Sequence, residues 1–273
     1  MVLRQLRKDK AAVFGALLLL IIVLAALLAP VITPYDPLDT GGERFLPPSR
    51  MHPMGTDELG RDVFARVLYG ARISLRVGLF SVGIAAAVGV PLGLLSGYYG
   101  ELIDNIIMRV MDIMLSFPGI LLAIVVVAIL GPGLENAMIA VGIAGVPSYA
   151  RLVRSSTLVE KSKDYVEAAR LLGVPTIRIL FRHILPNVLA PVIVLATLGV
   201  ASAILAAAGL SFIGLGAQLP TPEWGAMLSR GREYLRAEWW LATFPGLAIV
   251  FTVLGINLLG DGLRDALDPR LRV

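Results

Sequence analysis

The chain has 273 residues, 57% of them hydrophobic and only 16% charged, with a mean hydropathy of +0.81 and a formal net charge of +4. A soluble domain carries about a quarter charged residues, so this composition excludes one and points to an all-α polytopic membrane protein. There are no cysteines, which removes disulfides, thiolate nucleophiles and cysteine metal sites; the small positive charge calls for no nucleic acid and fits loops facing the cytoplasm.

Uncharged runs fall at 11–32, 77–100, 113–134, 136–150, 184–222 and 239–260. A spanning helix needs about 20 apolar residues, which five of the runs supply. The fourth is short and carries Gly142, Gly145 and Pro147, but it is kept as a span because the parity of the chain needs one there and a protein-packed helix tolerates such residues. The helix of the fifth run is placed at 190–214. About six spans put both termini on one side, which holds 15 of the Lys and Arg residues against 9 on the other. The positive-inside rule makes that side cytoplasmic, N-in and C-in. The basic start (Arg4, Arg7, Lys8, Lys10) suits a signal peptide, but run 11–32 exceeds the signal core of about 7–15 residues and Pro30 spoils the exit at Ala29. A retained first span is expected.

The chain then divides into a cytoplasmic start (1–10), a first span (11–33), an external segment with an amphipathic helix (34–76), a core of five spans (77–260) that includes a cytoplasmic loop (151–186), and a cytoplasmic tail (261–273). In the external segment Phe64, Val67, Leu68 and Ala71 have helical spacing. Apart from Asp112 the spans hold almost no ionisable groups, which argues against a proton-driven carrier without excluding other secondary transporters, channels or scaffolds. Arg109 and Asp112, three residues apart, are expected to form a structural ion pair. Ser81, Ser96, Ser116, Thr197, Ser202, Ser211 and Asn257 lie in the spans, where each can satisfy backbone. Trp224, Trp239 and Trp240 read as interfacial anchors, and His52 and His183 are too isolated for a metal site.

The stretch EAARLLGVPTIRILFRHILPN, 167–187, interrupts this apolar chain. Tyr165, Ala168, Ala169 and Leu172 form one helical stripe, Gly173 is the expected left-handed stop, and Pro175 suits the first turn of a second helix. Ile177, Leu180, Phe181 and Ile184 form the second stripe, and Pro186 marks the entrance to the fifth span. Periodicity alone favours two helices in the headgroup layer. The small Ala168 and Ala169, and the acidic Glu167, speak for a protein partner, although Lys163 and Arg170 are spaced to neutralise Glu167.

That stretch resembles the EAA loop of importer permeases of the ATP-binding cassette type. Glu167, Ala168, Ala169 and Gly173 match in place, as do Leu185 and Pro186, while Ile184 stands one residue later than in the pattern. HPMGTDELGRDVFARVLYGARISL, 52–75, is similar to the shorter, C-type permease of dipeptide, oligopeptide and nickel importers, and the stretches 209–228 and 259–272 resemble the same branch. The resemblance implies a type I importer permease fold whose coupling helices seat on an ATPase, with Glu167, Ala168, Ala169, Gly173, Pro175, Leu185 and Pro186 at that joint. It implies a bacterial or archaeal inner membrane, a second homologous permease, two ATPase subunits that bind ATP and magnesium, and an external solute-binding protein. Gly55, Thr56, Asp57, Gly60, Arg61 and Asp62 are then candidates for an outer gate or docking surface, beside the plainer reading of a surface helix bracing the bundle. No G-x-x-x-x-G-K-[ST] motif and no Gly-Lys pair occurs, so the chain has no phosphate loop. It is expected to be a transport subunit with no catalytic, cofactor or metal residues of its own. Peptides are the first expectation for the cargo, with nickel or its chelate next.

Overall fold

The structure, a computed structural model, describes residues 5–267; Arg4 of the basic start and 268–273 of the tail lie outside the described residues. Helix α1 (Lys10–Leu27) begins where the Asp9 carboxylate accepts the N–H groups of Ala11 (2.9 Å) and Ala12 (3.2 Å). At its outer end the last carbonyls are taken by Arg72, whose Nε lies 2.5 Å from the Ala26 oxygen and whose Nη2 lies 2.9 Å from that of Leu27.

Arg72 stands on α2 (Val63–Tyr99), one continuous helix of 37 residues. At a rise of about 1.5 Å per residue it spans about 55 Å, nearly twice the hydrocarbon core, so its first turns stand outside the membrane. The outer amphipathic helix and the second span, expected as separate elements, are therefore one. Arg72 and Arg76, which divide them in the sequence, do not divide the helix: Arg72 caps α1 and Arg76 lies over the Phe80 ring. Val67 and Ala71 of the expected stripe are buried, but Phe64 and Leu68 are only half-buried, and Val63 and Gly70 complete the inner seam.

The run 113–134 is not one straight span. It is divided between α3 (Glu101–Leu115) and α4 (Gly119–Leu130), bent by 93°. Pro118 has no N–H to give and drives Phe117 away from helical geometry. Taking the bent pair as one crossing makes six, with both termini on one side.

The fourth span, α5 (Leu134–Lys161), is far longer than its uncharged run and passes through Pro147 without breaking. It continues beyond Arg151 and Arg154 because α3 neutralises both. Arg154 holds Asp104 through two 2.5 Å bonds, and Arg151 lies 2.5 Å from Asp112. Asp112 therefore pairs across helices, and the expected Arg109–Asp112 pair is not formed: the Asp112 carboxylate is taken by Arg151, and Arg109 has no ion pair among the described residues. Helices α2 and α5 pack backbone to backbone, since a Cβ on Gly93 would stand 2.5 Å from the Ala150 carbonyl oxygen.

A short helix, α6 (Asp164–Leu171), leads to α7 (Thr176–Phe212). The fifth span thus begins at Thr176 and absorbs the second hairpin helix. Residues Ile179–Ile184 make a π-helical turn just before Pro186, the wider turn accommodating a proline that cannot donate to its preceding turn. Outside, α8 (Trp224–Gly231) starts at Glu223, and α9 (Trp240–Leu267) returns to the cytoplasm against α1 and α7. The apolar side chains exposed along α1, α3 and α4, such as Phe14, Ile106 and Ile129, face where lipid or another subunit would lie.

Candidate functional site

On the cytoplasmic side, α6 closes in a complete Schellman motif. Gly173, at φ +76°, donates to the Arg170 carbonyl (3.0 Å), and Val174 donates to that of Ala169 (3.1 Å). Pro175 stands at the cap position before α7 rather than within its first turn. Only one side of each expected stripe turns inward. Val166 and Ala169 of α6 pack with Ile179, Leu180 and Ile184 of α7 against Leu94 and Tyr98. Tyr165, Ala168, Leu172, Ile177 and Phe181 are exposed.

The outward face is apolar around one carboxylate. Leu171 and Leu172 are each 82% exposed, and Glu167 is exposed among them. The neutralising partners expected for Glu167 are engaged elsewhere: Lys163 holds Glu160 at 2.6 Å, and Arg170 lies over the Tyr98 ring. Leu185 is half-buried and Pro186 exposed at the root of α7.

A polar latch fastens this hairpin to the bundle. The Tyr165 hydroxyl donates to the Glu160 carboxylate at the end of α5 and accepts from Asn187 Nδ2 (3.0 Å) on α7, while Asn187 also donates to the His183 carbonyl (2.8 Å). Burial, and then the Glu160 carboxylate, push the Tyr165 hydroxyl up to about 12. Lys161 Nζ caps the inner end of α2 at the Tyr98 carbonyl (2.5 Å). Sequence reading gave no role to Glu160, which precedes the quoted stretch, or to Asn187, which ends it.

On the outer side, Gly55, Thr56, Asp57, Gly60, Arg61 and Asp62 are all buried. Asp57 takes Arg61 Nε at 2.7 Å, and Arg66 Nε lies 3.6 Å away. Asp62 caps α2 through the Ala65 N–H (2.6 Å) and holds His52 Nδ1 at 2.8 Å. Thr56 Oγ1 donates to the Glu43 carbonyl (2.7 Å) and accepts from Leu46 N–H (2.8 Å). These groups are buried and bonded within the outer segment, so they build an outer cap. Trp224 and Trp240 are buried parts of that cap, donating to the carbonyls of Val67 (3.0 Å) and Thr56 (3.2 Å); only Trp239 is exposed as an interfacial anchor would be.

Between cap and hairpin, α2, α4, α5 and α7 line an open-sided cavity of about 360 Å³ with no charged side chain in its wall. It adjoins a vestibule of about 670 Å³ toward the cytoplasmic ends of α7 and α9, the two sharing Ser148, Leu195 and Leu198. Of the hydroxyls read in the spans, Ser81 donates to the Met138 carbonyl (3.0 Å), whereas Ser202 stands in the cavity wall.

A six-crossing bundle with a neutral cavity and a cytoplasmic hairpin bonded to it has the form of a transport permease. Residues 89–273 match the family described as the binding-protein-dependent transport system inner membrane component, and residues 1–48 match the N-terminal TM domain of oligopeptide transport permease C. The chain belongs to this family of inner-membrane transport components. It is 51% identical over 270 residues to the dipeptide transport system permease protein of Alkalihalophilus pseudofirmus, covering 98% of this chain and 89% of that one. It is also 51% identical to the di/tripeptide transport system permease protein of Pseudomonas aeruginosa (97% and 89% covered). The glutathione transport system permease protein of Pectobacterium atrosepticum is 48% identical (98% and 90% covered). Among solved structures, a chain of the inward-facing MetNI methionine ABC transporter superposes with a TM-score of 0.59 at 21% identity, covering 74% of this chain and 96% of that chain, and shows the importer permease fold.

Proposed function

We propose that this chain is one of two homologous permeases that together line the path of an ATP-driven peptide importer. The observation that carries this reading is the hairpin's outer face: an unpaired Glu167 among exposed Leu171 and Leu172, on a segment latched to the bundle by Tyr165. An exposed apolar patch on a rigid support suits a protein partner, and a carboxylate facing out disfavours burial in anionic headgroups. The partner is an ATPase dimer that binds ATP and magnesium; this chain contributes no catalytic group. ATP-driven closure of the ATPases moves the hairpins of the two permeases together and opens the bundle outward, an external binding protein delivers its solute, and hydrolysis restores the inward state. The peptide cargo is supported by the names of the close relatives.

The test is co-purification from a membrane expressing the whole transporter. Glu167→Arg is expected to lose the ATPase subunits while the two permeases remain together. Retention of the ATPase, with ATP-driven dialanine uptake undiminished, overturns the hairpin as the joint.

A further inference from the structure

The hydroxyls inside the bundle differ in what they bond. Thr197, Thr243 and Thr252 return to their own helices, at 2.9 Å from the Ile193 oxygen, 2.8 Å from Trp239 and 2.7 Å from Ala248. Tyr149 on α5 is only 3% exposed, yet its hydroxyl has no partner. Ser148 and Ser202 are exposed in the cavity wall, and among the described residues their hydroxyls make no hydrogen bond within the chain, so Tyr149 alone is a buried, unpartnered hydroxyl beside this cavity. All three residues border the 360 Å³ cavity. Ser74 and Thr157 also lack partners but do not border it. Gly199 of α7 makes the room that Tyr149 needs, because a Cβ there would stand 2.9 Å from the hydroxyl oxygen.

A buried hydroxyl left unmet costs free energy, so a partner is expected where one can arrive. The cavity that Tyr149 borders is a route for such a partner, and its wall offers no charge. A hydroxyl both donates and accepts, which matches the N–H and C=O of an amide. A wall without ions gives no fixed partner to a peptide's termini or to charged side chains. We propose that Tyr149, with Ser148 and Ser202, forms a neutral hydrogen-bonding subsite for the backbone amide of the solute in transit. Such a subsite reads what all peptides share and ignores their side chains. The inference rests on the peptide reading above and adds the group of the solute that is recognised and the residue that recognises it.

The test uses the complete transporter in proteoliposomes, with dialanine and its ester counterpart, in which an oxygen replaces the amide N–H, as probes. Tyr149→Phe deletes one oxygen and keeps the ring. It is expected to lower dialanine uptake per ATP hydrolysed about 2- to 10-fold, the range of one lost hydrogen bond, and to shrink the preference for amide over ester. The preference of the binding protein is common to both complexes, so only a change in the ratio reads the cavity. Gly199→Ala, which crowds the hydroxyl without deleting it, is expected to shift the ratio in the same direction. An unchanged ratio in Tyr149→Phe overturns the subsite, whether uptake is unchanged or falls equally for both probes, and leaves peptide import standing. No ATP-driven dialanine uptake by the wild-type complex overturns the peptide reading itself.

Discussion

Trp240 donates its indole N–H to the carbonyl of Thr56, 3.2 Å away and 184 positions distant in the sequence. This bond joins the start of α9 to the loop that precedes α2, and Gly55 is small because a Cβ there would stand 2.7 Å from the Trp240 nitrogen. The outer cap is thus closed from both ends of the chain. Trp240→Phe keeps most of the packing but strands a buried carbonyl, and is expected to destabilise the protein by about 1–3 kcal/mol. The neighbouring Trp239, 49% exposed, serves as the control: Trp239→Phe should stay within about 0.5 kcal/mol. Thermal unfolding of the two variants in the same detergent separates them, and equal losses would refute the assignment.

Glu223 gives the cap a pH dependence. Its carboxylate accepts the Gly225 (3.0 Å) and Ala226 (2.9 Å) N–H groups at the start of α8, yet burial outweighs those bonds and holds its pKa above the ordinary carboxylate value. A carboxyl whose folded pKa is raised favours the folded state fully below its unfolded pKa, and that contribution is lost as pH rises through the folded one. Glu223→Gln is neutral at every pH but keeps only one of the two acceptor oxygens, so the expected signature is a change with pH: its melting temperature relative to wild type should rise from pH 5 to pH 8. Glu223→Ala removes both acceptors and should cost about 1–2 kcal/mol across the range. Melting curves at pH 5 and pH 8 decide between charge and cap.

Tyr165 is the latch whose removal should loosen the hairpin without unfolding the bundle. Burial and the Glu160 carboxylate raise its hydroxyl to about 12, so it stays protonated, and able to donate, throughout the physiological range. By the same linkage its contribution is complete below the ordinary tyrosine value and is lost only as pH rises through about 12. Tyr165→Phe is expected to speed amide exchange across 164–184 while leaving α2 and α5 protected. It should also raise ATP hydrolysis per solute moved in the assembled transporter. Unchanged exchange in the hairpin would show that the apolar contacts of Val166 and Ile184 hold it alone.

The membrane bundle was legible because a greasy run and a charge bias are properties of consecutive residues, and the inner hairpin because Gly173 and Pro175 are local punctuation. What escaped depended on partners far apart in the chain. Arg151 and Arg154 read as the end of a span, whereas Asp112 and Asp104 on α3 let α5 run on past them. Arg72 read as a break in α2 because the Ala26 and Leu27 carbonyls that it caps lie on another helix. The stripe at Tyr165 and Leu172 was apolar in sequence but outward in space, since periodicity finds a face without saying which way it turns. The burial of Asp57, Arg61 and Asp62 was not legible either, because it depends on the Arg61–Asp57 pair and on the bonds of Asp62 to Ala65 and His52.

Gly173 carries the last prediction. Its φ of +76° is one that L side chains seldom adopt, and no other atom lies within 4 Å of where its Cβ would stand. The cost of a substitution is therefore conformational rather than steric, about 1 kcal/mol for alanine. Gly173→Asn should cost less, since asparagine enters the left-handed region more readily, and Gly173→Pro should break the hairpin because its N–H is bonded to Arg170. The order expected for ATPase retention and coupled uptake is wild type, Asn, Ala, Pro. A steric role would instead rank the variants by side-chain size and place Asn below Ala, so the relative order of those two variants decides whether backbone geometry sets the hairpin.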